Sequence, residues 1–280
     1  MIISIASGKG GTGKTTVAVN LALSLDSAHS VQFLDCDVEE PNAHFFLKPK
    51  IRQSQPVFLP IPEVMEEICT YCGKCAEVCA YNAIAVLKDS ILIFPELCHG
   101  CGGCTLLCPE KAIKEKGQRI GIIELGSSNN ILFIHGKLDI GQAMSPPIIR
   151  EIKKHKNPTR IIIIDAPPGT SCPVIESVKG SDFSFLVTEP TPFGLNDLRL
   201  AVETLKELKI PFGVIINRAD VGDKQIQDYC QKENIPILME IPMDRNIAVA
   251  YSEGKSIIET QPSYREKFLE LFEKVQRLKK

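Results

Sequence analysis

A run of glycines, a lysine and a threonine near the amino terminus has the spacing of a phosphate-binding loop. It follows an apolar segment typical of a strand and precedes a helical pattern that ends at Leu25. Glycines let the backbone curl until several N–H groups face one anion, the lysine adds positive charge for the outer phosphates, and the threonine hydroxyl binds Mg²⁺. The residues predicted to bind nucleotide are Gly8, Gly10, Gly11, Thr12, Gly13, Lys14, Thr15 and Thr16.

The same glycines also fit the G-x-G-x-x-G pattern of dinucleotide-binding folds, at Gly8, Gly10 and Gly13. A dinucleotide fold has no use for a lysine and a threonine directly after the last glycine, whereas a phosphate-binding loop for nucleoside triphosphates requires both. We therefore interpret Lys14 and Thr15 as the residues that bind phosphate and Mg²⁺.

The cysteines form a second group of residues whose type and spacing indicate a chemical role. The chain has eleven, and eight of them make two copies of the spacing C-x-x-C-x-x-C-x-x-x-C within residues 69–108. The copies are offset by 29 residues throughout, and the same offset places Ala83-Ile84 onto Ala112-Ile113. This regularity predicts an internal duplication with a small core of its own.

The duplicated stretch resembles the bacterial two-cluster ferredoxins. In that motif the fourth cysteine of each run serves the cluster of the other run. Zinc is the alternative, because Cys₄ zinc sites also use C-x-x-C pairs, but a triple run suits the corner of a cubane better than a tetrahedron. Ala80 stands where the first motif usually has proline, a change that removes no ligand. The implied ligands are Cys69, Cys72, Cys75 and Cys108 for one 4Fe–4S cluster, and Cys98, Cys101, Cys104 and Cys79 for the other.

Two aspartates near the ends of apolar strands extend the nucleotide site. Asp37 follows the strand 31–34, and Asp165 ends the strand 161–164, where a carboxylate of the Walker B type holds Mg²⁺ through water. With Lys9 inside the glycine-rich loop and the turn 166–169, these residues make the chain resemble the MinD and ParA superfamily of P-loop ATPases. That superfamily includes the nitrogenase iron protein and the Mrp-type iron–sulfur carriers, and the resemblance covers the chain outside the cysteine-rich stretch.

The resemblance implies a role for each matched residue. Asp37 would orient the attacking water, and Lys9 would reach across a homodimer to the nucleotide of the other subunit, where it adds positive charge to the transferred phosphoryl group. Asn217 would read adenine, and Pro242 belongs to a loop that would close over the base. The implied catalytic residues are Lys9, Lys14 and Asp37, and the implied ligands of Mg²⁺ are Thr15 and Asp165. ATP or ADP, Mg²⁺ and a nucleotide-dependent homodimer follow from the same resemblance.

The rest of the chain alternates short apolar segments with helical patterns. Fully apolar strands between helices indicate a mostly parallel sheet covered on both faces. We therefore predict an α/β fold, a P-loop NTPase domain with a mostly parallel sheet, interrupted by an inserted α+β domain of the bacterial ferredoxin type. The predicted strands lie within 31–34, 131–134, 161–164, 185–188 and 214–216, and the clearest helices lie within 196–208 and 223–233.

Prolines mark the entry to the insertion. Residues 48–62 carry four prolines, too many for a helix interior or a central strand, so this segment is predicted to be a linker or an edge segment. The predicted organisation is a P-loop ATPase domain in two parts, residues 1–62 and 119–280, around a two-cluster ferredoxin-like domain at residues 63–118.

Charge and hydropathy limit the partners and the location. The 280 residues include 32 basic and 34 acidic side chains, a balance that argues against binding nucleic acid by bulk electrostatics. No apolar run approaches membrane-spanning length, so we expect a cytoplasmic protein without membrane insertion. The segment 262–280 is predicted to be a terminal helix packed on the sheet, with a membrane-surface helix as the alternative. Its predicted apolar face consists of Phe268, Leu271, Phe272, Val275 and Leu278.

Three cysteines lie outside the duplicated motif. Cys36 and Cys230 are interpreted as core residues. In the nitrogenase iron protein a cysteine at the place that matches Cys172 binds a cluster shared between subunits. Because no second cysteine clearly matches its companion, Cys172 is interpreted as a buried or reactive thiol, with a bridging cluster as the alternative.

These features together indicate an ATPase whose nucleotide state controls electron transfer to, or assembly of, a partner metalloprotein through two 4Fe–4S clusters. The insertion follows the segment of Asp37, which is expected to rearrange with the nucleotide state. The alternative is a carrier or scaffold that hands iron–sulfur clusters to recipient proteins. A positional ATPase acting on membrane or DNA is disfavoured by the neutral charge.

Overall fold

The computed structural model describes residues 1–278. Nine strands of this part of the chain form one sheet, and two more form a separate hairpin. The strands are β1 (Ile2–Ala6), β2 (Val31–Asp35), β3 (Lys50–Val64), β4 (Ile84–Val86), β5 (Ile91–Ile93), β6 (Ile113–Ser128), β7 (Ile131–Leu138), β8 (Ile161–Asp165), β9 (Phe183–Thr188), β10 (Phe212–Asn217) and β11 (Ile237–Ile241).

Helices connect most of these strands. The helices are α1 (Lys14–Leu25), α2 (Ala43–Leu47), α3 (Lys74–Glu77), α4 (Gly103–Leu107), α5 (Pro146–Lys154), α6 (Cys172–Val178), α7 (Pro192–Glu207), α8 (Gln225–Lys232), α9 (Arg245–Ser252), α10 (Ile257–Thr260) and α11 (Tyr264–Leu278). Two short 3₁₀ turns, Glu66–Ile68 and Pro95–Leu97, precede α3 and α4.

The large sheet has the order β11-β10-β9-β1-β8-β2-β7-β6-β3. From β11 to β7 the neighbouring strands are parallel, and β6 is antiparallel to both β7 and β3. Helices α1, α2, α10 and α11 cover one face of the sheet, whereas α5 to α8 cover the other. The predicted α/β fold with a mostly parallel sheet is therefore confirmed.

The proline-rich segment forms β3, the edge strand of the sheet. Proline cannot donate a backbone hydrogen bond, so it is tolerated on an edge strand where a central strand would lose its ladder. β3 pairs with β6 from Lys50 opposite Ser127 to Val64 opposite Ile113. This long ribbon carries the cysteine-rich segment, and both predicted domain boundaries fall within its paired strands. The division into domains remains a prediction.

The two halves of the cysteine-rich segment have the same backbone. Tyr71 and Gly100, which are 29 residues apart, both have left-handed φ angles, of 53° and 63°, and the pair Asn82 and Lys111 shares a φ of 53°. The two halves also form equivalent hydrogen bonds with each other. The Met65 N–H donates to the Ala112 carbonyl at 2.7 Å, and the Phe94 N–H donates to the Ala83 carbonyl at 2.8 Å. The sequence repeat is therefore a repeat of structure.

The last helix packs on the body of the protein. The buried face of α11 contacts α1 and joins the core beneath it. The face includes Phe268 and Val275 but excludes Leu278, which is 55% exposed, although the sequence pattern assigned it to that face. The packed helix is the reading that the structure supports. Residues 279 and 280 of the predicted helix lie outside the described part of the chain, in which no helix is long and apolar enough to cross a membrane.

Truncation of the α11 face tests this packing. We expect Phe268→Ala to lower the free energy of unfolding by about 3–5 kcal/mol, because a fully buried ring is replaced by a cavity. The control Leu278→Ala, on the exposed side of the same helix, should change it by less than about 0.5 kcal/mol. Urea unfolding followed by circular dichroism measures both, and equal effects would contradict the packing described.

Candidate functional site

The glycine-rich loop lies between β1 and α1, at the carboxyl edge of the parallel strands. Two of its glycines are required by the backbone. A Cβ at Gly8 would lie 2.1 Å from the carbonyl oxygen of Asp197 on α7, and Gly13 has a φ of 96° at the start of α1. The loop is thus held against α7 at one end and turned into α1 at the other.

An open cleft of about 1260 Å³ lies over this loop. Lys14 and Thr15 are buried in its floor at 7% and 8% exposure. Of the predicted nucleotide ligands, those that line the cleft are Gly10, Gly11, Gly13, Lys14, Thr15, Thr16, Asn217 and Pro242. Gly8 packs on α7 instead, and the Thr12 side chain is buried.

Asn217 ends β10 and is tied to the loop. Its Nδ2 donates to the Thr12 carbonyl at 2.9 Å, and its Oδ1 accepts the backbone N–H of Arg218 at 3.0 Å. One wall of the cleft was not foreseen from the sequence, because it comes from Ile247 and Tyr251 of α9. Their only signal in the sequence is an amphipathic helical pattern after Pro242.

Two buried carboxylates lie side by side next to the loop. Asp165 and Asp35 are partners in the register of β8 and β2, and both are fully buried. Burial raises the pKa of Asp165 to about 7, against the opposing charge of Lys14. The Thr15 hydroxyl acts in the same direction as Lys14, but neither carboxylate oxygen of Asp165 makes a well-formed hydrogen bond among the described residues. A buried carboxylate with spare acceptor capacity beside Thr15 fits a site for Mg²⁺ or its water ligands.

Asp37 lines the cleft opposite the loop. Burial raises its pKa to about 6, and the nearby Lys14 ammonium acts in the opposite direction. Asp37 therefore shares the cleft with Lys14, and its role of orienting a water molecule stays a prediction.

A row of polar side chains continues from the two carboxylates across the sheet. In register with Asp165 and Asp35 are His135 on β7 and Glu124 on β6. Burial lowers the pKa of His135, and its Nε2 lies 2.8 Å from Glu124 Oε2, where a ring N–H donates to the carboxylate. Lys137 lies 2.8 Å from the same oxygen. The sequence alone does not reveal this row, because it depends on the order of the strands.

Lys9 does not line the cleft. Its ammonium forms an ion pair with Glu189, whose second carboxylate oxygen lies 2.9 Å from Arg218 Nη1. Glu189 was not singled out from the sequence, since nothing local distinguishes it from other glutamates that follow a strand.

Two smaller cavities lie in the cysteine-rich segment. Their empty volumes are about 320 Å³ and about 430 Å³, and each is lined by four cysteines. The smaller one brings together Cys69, Cys72, Cys75 and Cys108, and the larger one brings together Cys79, Cys98, Cys101 and Cys104. These are the two sets implied by the ferredoxin resemblance. In residues 1–278 no three His, Cys, Asp or Glu side chains converge on a single-metal site.

Backbone donors face the sulfur atoms of these cavities. The N–H groups of Ala83 and Ala112 lie 3.3 Å from Cys79 Sγ and Cys108 Sγ, the two cysteines that cross between the repeats. The Gly100 N–H lies 3.4 Å from Cys98 Sγ. Such donors stabilise thiolates that bind a metal cluster, so the residues present fit iron–sulfur ligation.

The remaining cysteines divide by exposure. Cys36 and Cys230 are buried, as predicted, and burial raises the pKa of Cys230 to about 11. Cys172 is exposed at the start of α6, so the interpretation of a buried thiol is wrong for this residue, and the reactive-thiol alternative stays a prediction.

Comparison with known proteins agrees with this geometry. The family model for the CobQ/CobB/MinD/ParA nucleotide-binding domain matches residues 3–257. An uncharacterised protein of Methanocaldococcus jannaschii is 32% identical over 281 residues, which cover 98% of this chain and 96% of the relative. A protein of Pyrococcus horikoshii named iron–sulfur cluster carrier protein is 28% identical, with 98% and 84% of the two chains covered. The solved structure of the septum site-determining protein MinD with Mg-ADP, also from Pyrococcus horikoshii, matches in fold with a TM-score of 0.62 at 22% identity, covering 99% of this chain and 96% of that one.

The buried carboxylate of Asp165 predicts a dependence of stability on pH. Its pKa is higher in the folded than in the unfolded state, so the folded protein loses stability as the pH rises from about 4 to about 7. We expect Asp165→Asn to reduce the loss of stability between about pH 5 and about pH 8 by on the order of 1–3 kcal/mol in metal-free, nucleotide-free protein.

Urea unfolding at the two pH values measures this effect. Asp228→Asn, at an exposed position on α8, is the matched control and should leave the pH dependence unchanged. A pH dependence that is the same in Asp165→Asn and in the unmodified protein would contradict the assigned electrostatics.

Proposed function

Because this chain belongs to the CobQ/CobB/MinD/ParA family of nucleotide-binding domains, we propose that it is an ATPase whose nucleotide state controls an iron–sulfur unit. The unit consists of two 4Fe–4S clusters bound by the eight cysteines of the duplicated segment. One observation carries the proposal: two cavities, each lined by four cysteines, are attached through β3 and β6 to the sheet that forms the nucleotide cleft.

The nucleotide half of the proposal assigns a task to each residue of the cleft. The loop N–H groups and Lys14 bind the phosphates, Thr15 and Asp165 hold Mg²⁺ directly or through water, and Asp37 orients the attacking water. Bound Mg²⁺ neutralises charge on the phosphate oxygens. The wall formed by Ile247, Tyr251 and Pro242 offers an apolar surface to the base, next to the amide of Asn217.

The proposal also includes a homodimer that forms around the nucleotides. Lys9 would then supply positive charge to the phosphoryl group bound by the partner subunit. In a single subunit the Lys9 ammonium contacts Glu189 rather than its own cleft, which supports a role outside its own site.

Delivery of clusters is the first candidate for what the unit does. The name of the Pyrococcus horikoshii relative supports a carrier, in which the cluster is cargo and the nucleotide state controls its release. Exposure adds a physical reason: Cys72 and Cys101, one cysteine of each cavity, are exposed to solvent. A thiolate of an acceptor protein can therefore approach each cluster at one ligand and exchange with it.

Delivery of electrons is the second candidate, and a different observation favours it. Cys79 and Cys108 each belong to one repeat but line the cavity of the other, so release of either cluster breaks ligation in both repeats. Backbone donors to both sulfur atoms strengthen this ligation. Clusters held in this way are suited to stay resident and to carry electrons one at a time.

Cluster transfer distinguishes the two candidates. Anaerobic holo-protein labelled with ⁵⁷Fe is mixed with an apo-ferredoxin acceptor in the presence of ATP, ADP or no nucleotide, and the iron in each protein is measured after separation. As a carrier, the protein loses labelled iron to the acceptor faster with ATP, and Lys14→Ala abolishes this difference. Retention of all labelled iron, with electrons passed to a holo-acceptor, would instead support the second candidate.

The assignment of ligands predicts a pattern of iron loss. Cys108→Ser should lower the bound iron by about half, because one of the two clusters loses a ligand. Adding Cys72→Ser to Cys108→Ser should cost little more, since both residues line the same cavity, whereas Cys101→Ser with Cys108→Ser should remove both clusters.

Iron analysis and electron paramagnetic resonance of the reduced protein measure these losses. Cys172→Ser, an exposed cysteine outside the duplicated motif, is the control and should retain the full iron content. Equal losses in the two double variants would contradict the crossed ligation.

A further inference from the structure

Glu189 lies between two cations of its own chain. Lys9 Nζ contacts Glu189 Oε1, and Arg218 Nη1 lies 2.9 Å from Glu189 Oε2. The Glu189 side chain is only 13% exposed and that of Lys9 is 29% exposed, so water screens this contact less than it screens a pair on the surface. The proposed mechanism requires the Lys9 ammonium in the site of the partner subunit, but in the single subunit it is already paired with Glu189.

The position of Glu189 is fixed by its backbone. It follows β9 and precedes α7, where its carbonyl accepts the Thr191 N–H at 2.8 Å and the Thr191 hydroxyl accepts the Gly194 N–H at 2.9 Å. α7 in turn packs closely against the glycine-rich loop. The backbone of Asp197 lies so near Gly8 that no side chain could be placed at position 8. The loop that carries Lys9 and the turn that carries Glu189 thus both adjoin α7.

Arg218 connects this contact to the cleft. It lines the cleft beside Asn217, whose amide donates to the carbonyl of Thr12 in the glycine-rich loop. A nucleotide that enters beside Asn217 meets Arg218 directly. Any contact that draws the guanidinium toward the nucleotide removes one of the two charges that hold Glu189 in place.

We propose that Glu189 is a positioning residue that restrains Lys9 within its own subunit until the nucleotide-bound dimer forms. This inference rests on the proposed role of Lys9 across the dimer. The phosphates of the partner's nucleotide compete with one carboxylate for the ammonium, and a triphosphate carries more negative charge than a diphosphate. The restraint therefore favours release of Lys9 by ATP over release by ADP, which makes the dimer selective for the triphosphate.

Lysine reactivity tests the restraint in the nucleotide-free monomer. Glu189→Gln keeps the size of the side chain and removes its charge. We expect acetic anhydride to label Lys9 about fivefold faster in this variant, because its amine is no longer held against a carboxylate and is more accessible to the reagent. Labelling is read by mass spectrometry of the peptide that contains Lys9. Glu203→Gln, an exposed position on α7, removes the same charge elsewhere and should leave the rate unchanged.

Measurements of dimerisation test whether the restraint on Lys9 makes the dimer selective for the triphosphate. Glu189→Gln should form the dimer at about fivefold lower protein concentration than the unmodified protein. This decrease in the required concentration should be at least as large with ADP as with ATP. In a Lys9→Ala background the substitution of Glu189 should have no effect, a result that a merely structural role would not give. Sedimentation velocity gives the dimer fraction, and thermal unfolding verifies that each variant is folded.

An unchanged rate of Lys9 labelling in Glu189→Gln would overturn the restraint, and so would an effect on dimerisation that persists without Lys9. The role of Lys9 across the dimer is tested separately by mixing Lys9→Ala with Lys14→Ala subunits. A mixed dimer contains one intact site that receives Lys9 from its partner, so recovered ATP hydrolysis supports that role. Absence of recovery, together with faster labelling in Glu189→Gln, would reject the proposed dimer mechanism while leaving the contact itself established.

Discussion

The burial of two carboxylates side by side is the constraint around which the nucleotide site is built. Asp165 and Asp35 are fully buried at the carboxyl ends of adjacent parallel strands, and burial raises the pKa of both groups. Asp35 is partly satisfied by the backbone N–H groups of Asp37 and Ala43, each at 3.2 Å. Asp165 has the Lys14 ammonium as its nearby positive charge and the Thr15 hydroxyl as a neighbouring donor, and neither of its oxygens makes a well-formed hydrogen bond among the described residues. A cation at this point would remove an energetic cost of the fold, which couples stability to ligand binding.

The same edge of the sheet leads toward the cysteine-rich segment. The row that begins at Asp165 and Asp35 ends at the bonded pair His135 and Glu124, and Glu124 belongs to β6. β6 forms with β3 the ribbon on which both four-cysteine cavities are carried. The two parts of the chain are therefore joined by hydrogen-bonded strands rather than by a loose linker. A row of polar residues in register thus extends from the cleft to β6, and this row is the physical basis of the proposed coupling.

Local patterns in the sequence were sufficient to predict much of this structure. The phosphate-binding loop was predictable because its residues are adjacent, and the grouping of the cysteines followed from a spacing repeated after 29 residues. Contacts between distant parts of the chain were not predictable. The pairing of Lys9 with Glu189, 180 residues apart, depends on β1 and β9 being neighbours in the sheet. The α9 wall of the cleft depends on tertiary packing in the same way, and the sequence pattern also placed Leu278 on the wrong side of α11.

In the proposed mechanism, the state of the nucleotide cleft is transmitted through the sheet to the cysteine-rich segment. Hydrogen–deuterium exchange measured by mass spectrometry tests it most directly, in holo-protein with ATP, with ADP and without nucleotide, beside Lys14→Ala under the same conditions. We expect ATP to change amide exchange in β6 and in the cysteine-rich segment as well as in the glycine-rich loop, and we expect Lys14→Ala to show none of these changes. Protection by ATP that is confined to the loop and the walls of the cleft would contradict this mechanism.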